Sequence, residues 1–249
     1  MEGRLPDFLV PGAQKGGTTT LQTLLASHPQ VFLPPGKEVH YFSLHYDRGE
    51  AWYREQFAKA APSQCCGDIT PYYLFHPEAP RRIQALLPKV RLVLLLRDPV
   101  ERAVSQYFHS LRLGLEPLSL EQALLAETER LAGAEATLDT PGGRHRSHQE
   151  HSYLGRSRYE QQLERYLRLF QREQLLILRS EDLFAEPVRI WQQLLAFLDL
   201  DPQPLPSGGI RANAGAGEAS GVPLTVRRML RHRLEPTYGA MASHFGIVW

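Results

Sequence analysis

Short apolar runs alternate along the chain with segments of helical period, the layout of a parallel sheet covered by crossover helices. The stretch "DFLVPGA" (7–13) predicts a first strand, and a helix over 18–27 follows its loop. "CCGDITPYYLF" (65–75) predicts a less regular strand, and "PEAPRRIQALLP" (77–88) a helix bounded by prolines. "VRLVLLLRD" (90–98) is apolar at successive positions, as in a strand buried on both faces. From Val100, "VERAVSQYFHSLRLG" places Val100, Ala103, Val104, Tyr107, Phe108 and Leu111 on one helical stripe, with Gly114 as the stop. Downstream, "SLEQALLAETERL" and "SRYEQQLERYLRLF" predict helices, the second with a stripe through Tyr159, Leu163, Tyr166, Leu167 and Phe170. "QLLILRS" then predicts a strand and "VRIWQQLLAFLDL" a helix. Two stretches break the alternation and are expected to be long surface loops: 139–158, rich in His, Arg, Ser and Gly, and 202–223, rich in Gly, Pro and Ala. The expected fold class is α/β: a single domain over 1–249 with a central parallel β-sheet flanked by helices and a P-loop-like opening.

With 249 residues, 43% of them hydrophobic, the chain can bury a core of that size. Lys and Arg number 28 against 27 Asp and Glu, so no overall field gathers nucleic acid or an anionic membrane, and any anion site must be local. The longest apolar run, 92–96, is far short of a bilayer span, and "MEGRLPDFLV" lacks the features of a signal peptide. A cytoplasmic, bacterial-type enzyme without a transmembrane segment is the expectation, unless the chain is a domain of a larger one. Cys65 and Cys66 are adjacent and form no disulfide framework, which fits a reducing compartment.

The candidate chemistry begins at "VPGAQKGGTTTLQTLL" (10–25). A Walker A loop places its lysine after the last glycine, whereas Lys15 precedes Gly16 and Gly17, and Thr18, Thr19 and Thr20 follow. Glycines permit close backbone approach, a helix N-terminus presents N–H groups, and the lysine adds a full charge, so the loop suits a phosphate or sulfate. An ordinary glycine turn with a threonine cap is the plain alternative. A second unit repeats the layout, with Arg97 and Asp98 at a strand end, Pro99 opening a helix and Ser105 two turns in, on the side of Arg102. Arg97 and Ser105 can hold a second anion, while Asp98 caps the helix or orients the arginine; a simple turn ion pair is again the alternative. In "PPGKEVHYFS" (34–43), Glu38 between Lys37 and His40 is a candidate base, against the plain readings of solvated charges and a structural histidine. His145, His148 and His151 recur every three residues without the carboxylate or cysteine pattern of a metal site, and no metal is expected there.

The stretches "FLVPGAQKGGTTTLQTLLASHP", "KEVHYF", "DITPYYL", "VRLVLLLRDPVERAVSQY" and "LGRSRYEQQLERYLRLFQREQLLILRSEDL", in that order, resemble the sulfotransferases that use 3′-phosphoadenosine 5′-phosphosulfate. The chain is similar in particular to the branch of heparan sulfate N- and 3-O-sulfotransferase domains and their bacterial relatives. The resemblance implies the fold of that family, with Lys15, Gly16, Gly17, Thr18, Thr19 and Thr20 around the 5′-phosphosulfate and Arg97 and Ser105 on the 3′-phosphate. It implies Glu38 as the base, Lys37 near the transferring group and His40 lining the site. It also implies no metal requirement, since a lysine and helix N–H groups can neutralise the leaving phosphate.

Two segments depart from the family pattern. "GDITPYY", with Asp68, Pro71 and Tyr72, lacks a lysine often present there. Where the animal enzymes close over the donor with a Lys-Gly-Arg loop between cysteines, this chain offers Arg211, Asn213, Arg227 and Arg228. Arg211 and Arg227 are the expected donor contacts from this loop, which is expected to order on donor binding. Tyr159 is expected in a helix core, Arg156 and Arg158 as donor or acceptor contacts, and 139–158 as a mobile loop facing the acceptor. The implied acceptor is a glycan or small molecule, through a hydroxyl or an amine; no oligomeric state is indicated. Two other classes stay in view: a P-loop-like kinase or hydrolase of Mg-ATP, against which the position of Lys15 and the lack of a Walker B acid speak, and a non-catalytic nucleotide- or glycan-binding module, against which Lys15 and Glu38 speak.

Overall fold

The computed structural model describes residues 3–206 and 217–249. Five parallel strands, β1 (Phe8–Gly12), β2 (Val31–Phe32), β3 (Cys65–Ile69), β4 (Arg91–Leu96) and β5 (Leu175–Arg179), form one sheet in the order β2-β3-β1-β4-β5. Between and after them run α1 (Thr18–Ala26), α2 (Gly49–Glu55), α3 (Ala79–Leu86), α4 (Pro99–Arg112), α5 (Leu120–Arg130), α6 (Ala134–Asp139), α7 (Arg146–Glu150), α8 (Tyr159–Leu167), α9 (Ser180–Ala185), α10 (Pro187–Leu198), α11 (Leu224–Arg233) and α12 (Glu235–Phe245). No helix among the described residues is long and apolar enough to cross a membrane.

The central strands are apolar on both faces because both are covered. Phe8, Val10, Val93 and Leu95 pack with Leu21, Leu24 and Leu25 of α1 and with Trp191 and Leu194 of α10. Leu9, Leu92, Leu94 and Leu96 point the other way, onto Tyr73, Ile83 of α3 and Tyr159, Leu163 and Tyr166 of α8. Beyond the sheet, Val100, Ala103, Val104 and Tyr107 of α4 join Ala123 and Leu124 of α5, Val226 and Leu230 of α11 and Tyr238 of α12 in a third cluster. The α/β fold class with a parallel sheet flanked by helices is thus what the alternation of runs predicted.

Several details differ from the sequence reading. β2 has only two residues at the sheet edge, too short to leave a periodic signal. On α4, Leu111 is 43% exposed and lies off the buried stripe, and the left-handed Gly114 (φ 69°) follows the helix end. The stretch 139–158 is a surface loop only in its first part: residues 140–145 lie outside the helices, whereas α7 and a 3-10 turn follow, and His148, His151, Tyr153, Arg156 and Ser157 are buried. Its polarity misled because the polar groups satisfy one another inside. Arg156 donates to the carbonyls of His148 and Gln149, and the buried Arg102 donates to Ser157 Oγ at 2.6 Å and to the Tyr153 carbonyl. In the stretch 202–223, residues 217–221 form a 3-10 turn.

Candidate active site

All five strands end on one side of the sheet, the edge at which open parallel sheets place ligands. The segments that follow them surround a cleft of about 960 Å³. Lys15, Gly17, Thr18, Thr19 and Thr20 follow β1, Lys37 and Glu38 follow β2, Pro71 follows β3, Arg97 and Ser105 follow β4, and Ser180 and Glu181 follow β5.

Gly16 is required by packing as much as by any ligand: a Cβ there would sit 2.2 Å from the Leu95 carbonyl oxygen of β4. Gly17, left-handed at φ 96°, is the N-cap of α1, so the helix opens without a side-chain cap. Lys15 is itself left-handed (φ 70°). Burial, followed by the charges of Arg112, Arg97, Lys37 and Arg102, pushes its ammonium down to about 8. An amine held against four other cations is poorly stabilised until an anion enters, and this chemistry fits a phosphate or sulfate group.

At β4, Asp98 resolves the choice left by the sequence. Its Oδ1 accepts from the Glu101 N–H at 2.9 Å, so it caps α4. The Tyr159 hydroxyl, from the core of α8 as expected, donates to the Arg97 carbonyl at 2.9 Å and fixes the backbone of that residue. Glu101, Ser105, His109 and Arg112 all line the cleft. His109 and Arg112 escaped the sequence reading, yet their spacing of four and seven from Ser105 marks one helix face. The His109 imidazole is pushed down by burial and by Lys15 and Arg112.

The third segment carries Glu38 and His40, both left-handed at φ 65° and 57°, an arrangement rare for residues with a Cβ. The amides of Ser43, Leu44 and His45 all donate to the His40 carbonyl and lock the turn. Glu38 lies 3.3 Å from His40 Nε2 and 3.6 Å from Lys37 Nζ. Burial pushes the Glu38 carboxyl up, but the His40 hydrogen bond and the charges of His40 and Lys37 outweigh it, and the net shift is downward. Glu38 is therefore ionised at neutral pH. His40 is held from behind: its N–H donates to Thr70 Oγ1 at 3.4 Å, and Thr70 donates to Asp68 Oδ1 at 2.6 Å. Asp68 also accepts from the hydroxyls of Tyr53 and Tyr73, both at 2.9 Å, and is fully buried.

Other residues singled out in the sequence lie elsewhere. Arg227 is not in the cleft lining; it pairs with Glu101 and donates to the Ala219 carbonyl at 2.7 Å. Arg156 does not line the cleft either, but donates to Gln14 Oε1 and so supports the opening loop. His148 shares a 2.8 Å hydrogen bond with Tyr72 and stacks on Phe75, His145 Nδ1 accepts from the His148 amide, and His151 Nε2 lies 3.1 Å from the Leu115 carbonyl. Arg211 and Asn213 lie outside the described residues.

A family model for the sulfotransferase domain matches residues 5–210. The chain is 33% identical over 197 residues to heparan sulfate glucosamine 3-O-sulfotransferase 3B1 of Homo sapiens, across 79% of this chain and 47% of that protein. It is 29% identical to the membrane-associated sulfotransferase kil1 of Dictyostelium discoideum, across 81% of this chain and 58% of that one. The chain thus spans about half the length of these curated relatives. Among solved structures, it is similar to a sulfotransferase from Alicyclobacillus acidocaldarius, with a TM-score of 0.82, 26% identity, and coverage of 99% of this chain and 98% of that one. That family model covers well over half of the sequence, and the chain belongs to the sulfotransferase-domain family.

Proposed function

We propose that the chain moves a sulfuryl group from 3′-phosphoadenosine 5′-phosphosulfate to a hydroxyl or amine of a carbohydrate, lipid or small metabolite. The observation that carries this reading is the convergence of Lys15, Arg97, Ser105 and Glu38 on one cleft, two cationic sites and one carboxylate base in a single space. A donor with anions at both ends of an adenosine matches the two cationic sites. It supplies an electrophilic sulfur and a phosphate leaving group.

Lys15 and the uncapped start of α1 hold the 5′ end, and Arg97 with Ser105 holds the 3′-phosphate. Glu38, ionised, takes the proton of the attacking group, and His40 keeps the carboxylate in place. Lys37 links the two halves by donating to Thr19 Oγ1. Lys15 neutralises the charge left on the 5′-phosphate, so these side chains supply the positive charge that metal ions provide in phosphoryl transfer. The whole chain, 1–249, acts as one such unit in this reading.

Transfer of labelled sulfur from the donor to a panel of oligosaccharide, lipid and phenolic acceptors tests the proposal. Lys15→Ala and Glu38→Gln are each expected to lose at least roughly a hundredfold in turnover while remaining folded. Near-normal turnover in either variant removes that residue from its role.

A further inference from the structure

Glu181 presents a difficulty for an anion site. It lines the cleft beside Arg97, and a mobile carboxylate there would repel an incoming phosphate or capture the arginine. Both of its oxygens are already engaged. Oε1 accepts from the Asp98 N–H at 2.9 Å, and Oε2 accepts from the indole N–H of Trp249, also at 2.9 Å. Tyr238 acts on the same turn: its hydroxyl donates to Asp98 Oδ2 at 2.8 Å and accepts from the Val100 N–H at 3.4 Å. Trp249 is wedged between two aromatic rings, 6.0 Å from Tyr238 and 6.1 Å from Tyr159, and Tyr159 holds the Arg97 carbonyl. Arg231 lies over the outer face of Tyr238. Two aromatic side chains, Tyr159 of α8 and Tyr238 of α12, thus bear on residues 97–100, and Trp249, in the segment after α12, restrains the carboxylate whose other oxygen holds the Asp98 N–H.

We infer that Trp249 and Tyr238 are positioning residues of the Arg97–Ser105 anion site: Tyr238 sets the turn that aims Arg97, and Trp249 fixes the direction of the Glu181 carboxylate so that it does not compete for that arginine. The inference rests on the proposed donor reading and adds two residues that do not line the cleft. A Trp at this position is chosen for its single N–H donor on an apolar ring, which anchors a carboxylate without adding a second charge.

The test compares ligands with and without a 3′-phosphate, by calorimetric titration of the whole protein with adenosine 3′,5′-bisphosphate and with adenosine 5′-phosphosulfate. The unsubstituted protein comes first, and if it binds neither ligand the donor reading falls together with this inference. If it binds, Trp249→Phe and Tyr238→Phe are each expected to weaken the bisphosphate by roughly tenfold, as expected for the loss of a hydrogen bond to a charged group, and the phosphosulfate by less than about twofold. Equal weakening of both ligands, or no change in either, overturns the inference and leaves the donor reading standing. Adding Glu181→Gln to Trp249→Phe removes the competing charge and is expected to restore bisphosphate affinity; a double variant as weak as the single one overturns the role given to Trp249.

Discussion

Lys37 donates a 2.6 Å hydrogen bond to the hydroxyl of Thr19, joining the segment that carries Glu38 to the first turn of the helix behind the glycine loop. The proposed base and the proposed leaving-group site are thereby held at a fixed separation, which in-line transfer requires. Lys37→Met is expected to lower kcat roughly tenfold to a hundredfold, with the KM for the donor changed far less. Steady-state kinetics with donor varied at fixed acceptor checks this split; a rise in KM alone would place Lys37 in binding only.

Lys15 is expected to make affinity for the proposed donor depend on pH. Its ammonium loses its proton near 8 in the free protein, and a bound anion favours the protonated form, so the complex keeps a proton that the free protein releases above that pH. Affinity for adenosine 3′,5′-bisphosphate is therefore full below about pH 8 and falls above it, by at most about tenfold per pH unit. Titrations at pH 7, 8 and 9 show the decline in the natural protein and a flat profile in Lys15→Gln.

Asp68 anchors the hydroxyls of Tyr53, Thr70 and Tyr73, and Thr70 reaches His40. Asp68→Ala leaves three buried hydroxyls without their acceptor and is expected to destabilise the fold by roughly 3 kcal/mol or more. Thr70→Val, a milder change, is expected to cost about 1 kcal/mol and to lower turnover by releasing the turn that carries Glu38. Urea melts and turnover measured on the same samples separate the two effects.

Two buried histidines weaken the fold as the pH falls. Burial, followed by nearby arginines, pushes His76 down to about 3 and His148 to about 2. Below the ordinary histidine range, near 6.5, the unfolded chain takes up protons that the folded chain refuses, so stability falls as pH drops through that range and continues to fall toward pH 3. From pH 6.5 to 5, each histidine contributes a loss of up to about 2 kcal/mol. In denaturant melts, His148→Gln, which replaces the titrating ring with a neutral amide, should lose less stability than the natural protein between pH 6.5 and 5, by up to about 2 kcal/mol.

Much of the cleft wall after β1 and β4 was legible in the sequence because it lies where local rules act strongly. The apolar run of β4, the Asp98–Pro99 helix start and the glycines before α1 are short-range signals, and Gly16 and Gly17 occupy positions where a side chain would clash or strain. The remainder depended on contacts between distant segments. Nothing local shows that Arg227 turns to Glu101, that Trp249 meets Glu181, or that Arg156 is buried against the carbonyls of His148 and Gln149. His109 and Arg112 were readable in principle, from the helix face they share with Ser105, but only once that face was known to border a cleft.

The most direct test of the central claim is a calorimetric titration of the protein with adenosine 3′,5′-bisphosphate in EDTA, beside ATP with Mg²⁺. Micromolar binding of the bisphosphate without metal, weakened roughly tenfold to a hundredfold by Arg97→Ala, is the predicted result. Binding of Mg-ATP alone would contradict the account and assign the cleft to phosphoryl transfer.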